Sequence, residues 1–160
     1  MKKIITALFA AAFVLPAVAE EKGFTSLFDG KTLKGWDGKK EFWSVQDGAI
    51  QGKTTKETPT KGNTFIIWKG GTVTDFELKF EYRFLTKSGN SGCQYRSEDM
   101  GNNVVKGYQG DFEAGTRFSG INYGEKTGRG ILADRGTKTT LGDGKAKKKV
   151  ERFGDSAELQ

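Results

Sequence analysis

Nine consecutive residues, Phe76-Glu77-Leu78-Lys79-Phe80-Glu81-Tyr82-Arg83-Phe84, carry an apolar side chain at every second position and a charged one between. A helix, turning about 100° per residue, would scatter those five apolar groups around its circumference; a strand, with its period of two, gathers them on one side. The run therefore predicts a half-buried strand with Phe76, Leu78, Phe80 and Tyr82 facing a core. Shorter strands are predicted at Trp43–Val45, Ala49–Gly52, Thr64–Trp68, Ser91–Arg96, Tyr108–Glu113, Gly120–Tyr123 and Gly130–Ala133. Glycine-rich turns such as Asp47-Gly48, Lys69-Gly70-Gly71 and Ser88-Gly89-Asn90 separate them. Many short strands punctuated in this way, with few helix signals, indicate an all-β chain, an antiparallel β-sandwich or jelly roll. No internal repeat or linker divides residues 20–160, which read as a single domain.

Residues 1–19 read differently. Lys2 and Lys3 precede an apolar run from Ile4 to Leu15, then Pro16 and the small-residue site Ala17-Val18-Ala19, the plan of a secretory signal peptide cleaved before Glu20. The apolar run is shorter than the roughly 18 residues a membrane-spanning helix needs. The expectation is an exported chain, periplasmic or extracellular after cleavage, without stable membrane insertion. Cys93 is the single cysteine, so no intramolecular disulfide can staple the fold, and alternation with polar neighbours suits it to the inner side of a sheet as a structural thiol. Stability then rests on the core, for which three tryptophans and twelve phenylalanines, ten of them beyond residue 19, supply material.

The formal charge of +6 falls to +4 once Lys2 and Lys3 leave. The basic run Lys145-Ala146-Lys147-Lys148-Lys149 with Arg152 lacks interleaved aromatics for base stacking, so it reads as a solvated loop or hairpin, and nucleic acid is not an expected partner. The chain has no histidine. That excludes histidine-based zinc or iron sites, serine-histidine triads and cysteine-histidine dyads, and leaves acid–base work to carboxylates, tyrosines or lysines. A divalent cation such as calcium on Asp and Glu oxygens stays open, although no EF-hand spacing occurs. No cofactor is assigned.

The segment Asn90-Ser91-Gly92-Cys93-Gln94-Tyr95-Arg96 and, after a loop, Gly107-Tyr108-Gln109-Gly110-Asp111-Phe112-Glu113 hold the densest polar chemistry. At a period of two, Asn90, Gln94 and Arg96 point one way, and Gln109, Asp111 and Glu113 point one way. Glycines at 89, 92, 107 and 110 keep that surface low. The plain alternative is that both rows are ordinary solvent faces of an antiparallel sheet.

Four separated motifs in register carry a resemblance. They are Leu27-Phe28-Asp29-Gly30-Lys31-x-Leu33-x-Gly35-Trp36, Trp43-x-Val45-x-Asp47-Gly48, Asn90-Ser91-Gly92-x-Gln94-Tyr95-Arg96 and Gly107-Tyr108-Gln109-x-Asp111. Together, from about Gly23 onward, they resemble the 3-keto-disaccharide hydrolase family. The resemblance implies a concanavalin A-like lectin/glucanase fold and further strands after Gln160, one opening with a tryptophan-asparagine pair. It also implies a carbohydrate substrate and a chemistry: a C3 ketone acidifies the C2 proton, a base removes it as the glycosidic oxygen leaves C1, and water adds back.

Fitted to those roles, Asp111 and Glu113, about 7 Å apart along one strand side, each qualify as the base. Arg96 is the candidate enolate stabiliser, since its charge is permanent and its planar fork suits an oxyanion. Tyr108 and Tyr123 are candidate acids, or else sandwich core. Asn90, Gln94 and Gln109 are candidate sugar-hydroxyl ligands, and Arg129, with Arg135, can close over a ligand or simply face solvent. Asp29, Trp36, Trp43 and Asp47 read as structural, with sugar stacking the alternative for one tryptophan. Two other functions compete: a glycoside hydrolase on unoxidised glycans, and a non-catalytic carbohydrate-binding module. The Glu-x-Asp-x-x-Glu strand that glucanases of this fold use is absent, which counts against the first. Oligomeric state is not legible.

Overall fold

A computed structural model describes residues 22–143 and 147–155. The signal-like segment, Lys145, Ala146 and the last five residues lie outside them. The described residues hold ten strands and no helix. These are β1 (Trp36–Asp37), β2 (Trp43–Gln46), β3 (Ala49–Gly52), β4 (Ile67–Trp68), β5 (Asn90–Asp99), β6 (Val105–Glu113), β7 (Asn122–Glu125), β8 (Gly130–Ala133), β9 (Thr137–Leu141) and β10 (Lys147–Arg152).

All pairings are antiparallel. Strands β5-β6-β7-β8 form a four-stranded sheet in sequence order, while β1-β4, β2-β3 and β9-β10 are two-stranded. The all-β antiparallel expectation holds. The four-stranded sheet is a plain meander, and jelly-roll crossovers are not seen among the described residues.

Local chemistry explains the turns. Asp47 and Gly48 link β2 to β3 with φ of 50° and 74°, the left-handed pair that suits the twist of a two-residue hairpin. Asp29 holds the turn before β1: its Oδ1 accepts from the Lys31 and Thr32 amides at 2.8 and 2.6 Å, and its Oδ2 accepts from the Thr32 hydroxyl at 2.6 Å. Trp36 Nε1 donates to the Leu27 carbonyl at 2.7 Å, which folds this turn back against β1. The N-terminal pieces reach the meander near the β5–β6 connection. There the Phe65 amide donates to Asn103 O at 3.0 Å, Asn103 Nδ2 donates to Asp37 O at 3.2 Å, and Lys69 pairs with Asp99 at 3.2 Å.

The run Phe76–Phe84 departs from expectation. It joins no strand ladder among the described residues. Phe76, Leu78, Phe80 and Tyr82 are 47%, 42%, 51% and 53% exposed, so they do not face a closed core. Alternation still acts: Phe80, Tyr82 and Phe84 gather around Phe112 of β6, with Tyr82 stacked on it at 4.2 Å between ring centres and the other two at 5.9 and 6.3 Å. Periodicity specifies which side chains share a side; burial further requires an element to cover them.

The hydrophobics that are buried lie elsewhere in the meander, at Val105, Ile121 and Leu132. Half-buried Cys93 lies on β5, its thiol pushed up by burial and so a poor nucleophile. The basic run of the C-terminal segment pairs in part as β10 against β9, the hairpin expected of it, with a bulge between Lys147 and Lys149.

Hydrogen bonds from Thr32 and Lys31 lower the Asp29 carboxyl to about 2. A depressed carboxylate stabilises the fold above its ordinary value of 3.8 and loses that contribution as pH falls through about 2. Asp29→Ala should therefore melt below the parent by a constant margin above about pH 5, the margin closing between there and pH 2 as the parent loses its advantage. Thermal melts across that range check it.

Candidate functional site

The β5–β6 register assembles one polar side of the meander. Asn90, Gly92 and Gln94 stand opposite Glu113, Asp111 and Gln109, and Tyr123 of β7 stands opposite Gln109. Directly paired residues share a side of an antiparallel sheet, so Asn90, Gln94, Gln109, Asp111, Glu113 and Tyr123 occupy the same one. Glu125, two residues on from Tyr123, joins them opposite Gly107.

Alternation would add Arg96 to that row, and the backbone prevents it. The pairing shifts between Tyr95 and Glu98, so Arg96 and Ser97 together face Gly107 alone. This is a β-bulge, with Arg96 in the left-handed region at φ 46°. A Cβ at Gly107 would meet Ser97 Oγ and lie 2.6 Å from Ser97 Cα, which puts Ser97 over the polar side. The Arg96 guanidinium instead donates to Asp75 Oδ1 at 3.2 Å, out in solvent. The structure thus brings Asp111, Gln109, Gln94 and Asn90 together and does not bring Arg96 to them.

A chain of hydrogen bonds crosses this side. The Ser97 hydroxyl lies 2.8 Å from Gln94 Oε1, Gln94 Nε2 donates to Gln109 Oε1 at 2.7 Å, and Gln109 Nε2 donates to Asp111 Oδ1 at 2.6 Å. Gln109 is 7% exposed, and its side chain lies flat because Gly92 offers nothing to displace it. A Cβ there would stand 2.5 Å from Gln109 Cγ. Asp111 is half-buried, and burial is the chief cause of its carboxyl being raised. Glu125 and Glu113 add to the rise, while hydrogen bonds from Gln109 and Asn90 oppose it.

Glu113 is engaged differently. Its Oε1 accepts from the Phe118 amide at 2.6 Å and its own amide donates to Ser119 Oγ at 3.0 Å, so it closes the 113–119 loop. Tyr108 falls on the reverse side, its ring 6.0 Å from that of Tyr95. Arg129 donates to the Gly142 carbonyl at 3.3 Å, and Arg135 donates to Ser119 O and Thr116 O at 3.1 and 2.7 Å. Both arginines hold loop backbone.

Two residues of this face escape the alternation argument. Glu125, 6% exposed, accepts from Asn63 Nδ2 at 2.8 Å. The strand predicted at 120–123 stops before it; extending the period of two from Tyr123 by one step finds it. Ser97 carries no comparable signal, because only the bulge brings it there. Among the described residues no group of three or more His, Cys, Asp or Glu side chains is placed to hold a metal ion.

Fold and face together define an all-β protein with a polar sheet surface organised around one half-buried carboxyl group. Residues 23–154 match the 3-keto-alpha-glucoside-1,2-lyase-like domain, and the chain belongs to that family. It is also similar to a 3-keto-disaccharide hydrolase of Bacteroides thetaiotaomicron, 30% identical over 107 residues that cover 58% of this chain and 35% of that protein. The chain thus matches about a third of its relative's length. No solved structure matches it.

The two glycines separate site geometry from stability. Gly92→Ala collides with the movable end of a glutamine side chain, so it should fold with a small loss while the Asp111 carboxyl climbs further as its donor is displaced. Gly107→Ala meets the Ser97 main chain, which no rotamer relieves, and should cost about 1–3 kcal/mol. Denaturant titration and carboxyl-carbon NMR of the two variants check the contrast.

Proposed function

We propose that this chain acts on 3-keto glycosides, cleaving them by C2 proton abstraction, elimination and hydration, with Asp111 as the base. The carrying observation is the environment of Asp111: a carboxyl raised by burial, steadied on Oδ1 by Gln109, and accompanied on the same sheet side by amides, Tyr123 and Glu125. A base whose proton affinity sits above that of an ordinary carboxylate is better matched to a weak carbon acid at neutral pH. Family membership and the name of the relative agree with that substrate class.

In the proposed reaction the C2 proton passes to Asp111 and the electron pair of the C2–H bond delocalises into the C3 carbonyl as an enolate. Its collapse breaks the C1–oxygen bond, and the leaving oxygen takes a proton, for which Tyr123 is the candidate donor. Water then adds to C1 of the unsaturated sugar as C2 is reprotonated, so the net change is hydrolysis. Asn90 and Gln94 are the proposed donors to ketone and hydroxyl oxygens. Glu113 and Arg96 have other engagements, with the 113–119 loop and with Asp75, and the reading assigns them no step. It includes export, on the charged, apolar and small-residue plan of residues 1–19.

The test incubates the purified chain with a 3-keto disaccharide and with its unoxidised parent, with and without chelator, and follows monosaccharide release. Turnover of the keto sugar alone is expected; turnover of the parent selects an ordinary glycosidase, and binding without turnover selects a carbohydrate-binding module. Asp111→Asn should lose roughly two to four orders of magnitude in turnover. Its fold should not suffer. A raised carboxyl costs stability once ionised, so at pH 7 the variant should melt at or above the parent, the gap closing as pH falls toward 3.8.

A further inference from the structure

Residues 76–84 are laid along the open edge of the meander. Strand β5 is the outermost of the four on that side, and the segment runs beside it in the opposite direction. Asp75 meets Arg96 at 3.2 Å near one end, and a Cβ at Gly89 would lie 3.2 Å from the Phe84 ring at the other. Between these points the Tyr82 ring stacks on Phe112, which is paired with Ser91 of β5. The apolar side chains therefore lie on the reverse of the meander, and Glu77, Lys79, Glu81 and Arg83 lie on the side that holds Asp111. Strand β5 borders the inner edge of the segment, and no strand borders its outer edge among the described residues.

The order of the charges is self-complementary. In a second copy laid antiparallel, with the two Phe80 residues opposite each other, Lys79 faces Glu81 and Glu77 faces Arg83. By symmetry each of these pairs occurs twice, while on the other side Leu78 faces Tyr82 and Phe76 faces Phe84. Neighbouring registers lose this match. A slip of one residue sets rings against charges. A slip of two sets Glu77 against Glu81 and Lys79 against Lys79 in one direction, or Lys79 against Arg83 and Glu81 against Glu81 in the other. The four charged side chains are exposed, and Lys79, which reaches Glu77 at 3.7 Å and the Phe24 ring at 4.2 Å within its own chain, is still half exposed.

We propose that residues 76–84 are a homodimer interface, at which two copies of this chain add edge to edge as antiparallel strands about a two-fold axis at Phe80. Main-chain hydrogen bonds and the apolar pairs hold the copies together, and the charges fix direction and register. Such an axis stands perpendicular to the sheet, so the two meanders join into one surface with both Asp111 groups on the same side. The rival use of these rings is a flat platform for a glycan. Their tilts oppose it, at 42° between Phe80 and Tyr82 and 78° between Tyr82 and Phe84. The interface does not depend on the chemistry assigned to Asp111.

Sedimentation velocity of the full chain over a concentration series should show a reversible monomer–dimer equilibrium. Glu81→Lys sets like charges opposite each other twice across the axis and should weaken dimerisation roughly tenfold or more. Glu77→Lys, Lys79→Glu, Glu81→Lys and Arg83→Glu combined invert every charge of the segment. Two copies of that variant regain opposite-sign pairs, whereas a variant paired with a parent chain has like charges throughout. The inverted chain should therefore dimerise as the parent does, and a labelled mixture of the two should hold fewer mixed dimers than random pairing gives. All four positions are exposed, and thermal melts confirm that each variant is folded. A parent that stays monomeric, a Glu81→Lys chain that associates as the parent does, or an inverted chain that fails to dimerise overturns the proposal. So does a share of mixed dimers at or above random pairing, which parallel strands would produce.

Discussion

Arg96, the extra residue in β5, determines which side chains share a surface with Asp111. Up to Tyr95 the two long strands pair residue against residue, and beyond Glu98 they do so again. Between those points two residues face one glycine, and Arg96 takes a left-handed backbone that costs an L-residue about 1–2 kcal/mol. That strain is offset by ladder bonds on either side, and it turns the guanidinium out toward Asp75 while Ser97 turns in. Gly107 makes the arrangement sterically admissible, and Gly92 lets Gln109 lie across the strands toward Asp111. The place of Ser97 beside Gln94, at the head of the hydrogen-bonded row, follows from this one irregularity in register.

Much of this was legible in the residues because alternation converts directly into sidedness. Asn90, Gln94, Gln109 and Asp111 fall together as a period of two requires, and the Asp47-Gly48 hairpin follows from the only backbone its turn allows. Arg96 was misplaced because a bulge shifts the phase of a strand by one, and no residue type announces it. Glu125 was missed for another reason. An acid reads as a solvent residue until something covers it, and what reaches it is Asn63, 62 positions earlier in the chain. Tyr108 shows the limit of motif reading: it is embedded in the same segment as Gln109 and Asp111, yet being of opposite parity it lies on the other side, against Tyr95.

The site also shows how a chain without histidine can raise the proton affinity of a carboxyl group. Burial and two neighbouring carboxylates raise Asp111, and two amide donors restrain the rise. The restraining amides stand on β5 and β6 and the raising carboxylates on β6 and β7, so a substitution at Glu125 of β7 alters the rise without removing either donor. The two loop arginines contribute at one remove, by holding loop backbone around the meander, and Glu113 adds to its direct influence a hold on the 113–119 loop.

The aromatic row from Phe76 to Phe84 has a consequence for how this chain meets other chains. An extended segment of strong β-propensity that joins no ladder among the described residues, with phenyl rings about half exposed, is a template for strand addition. What restrains it is its own alternation. Glu77, Lys79, Glu81 and Arg83 place a charge after every apolar side chain, so a second copy stacking in parallel register would set like charge on like charge along the whole ribbon. The charged positions act as gatekeepers in the sense used for aggregation-prone strands. The restraint depends on direction: an antiparallel copy centred on Phe80 would set Glu77 against Arg83 and Lys79 against Glu81, so the pattern opposes parallel assembly alone.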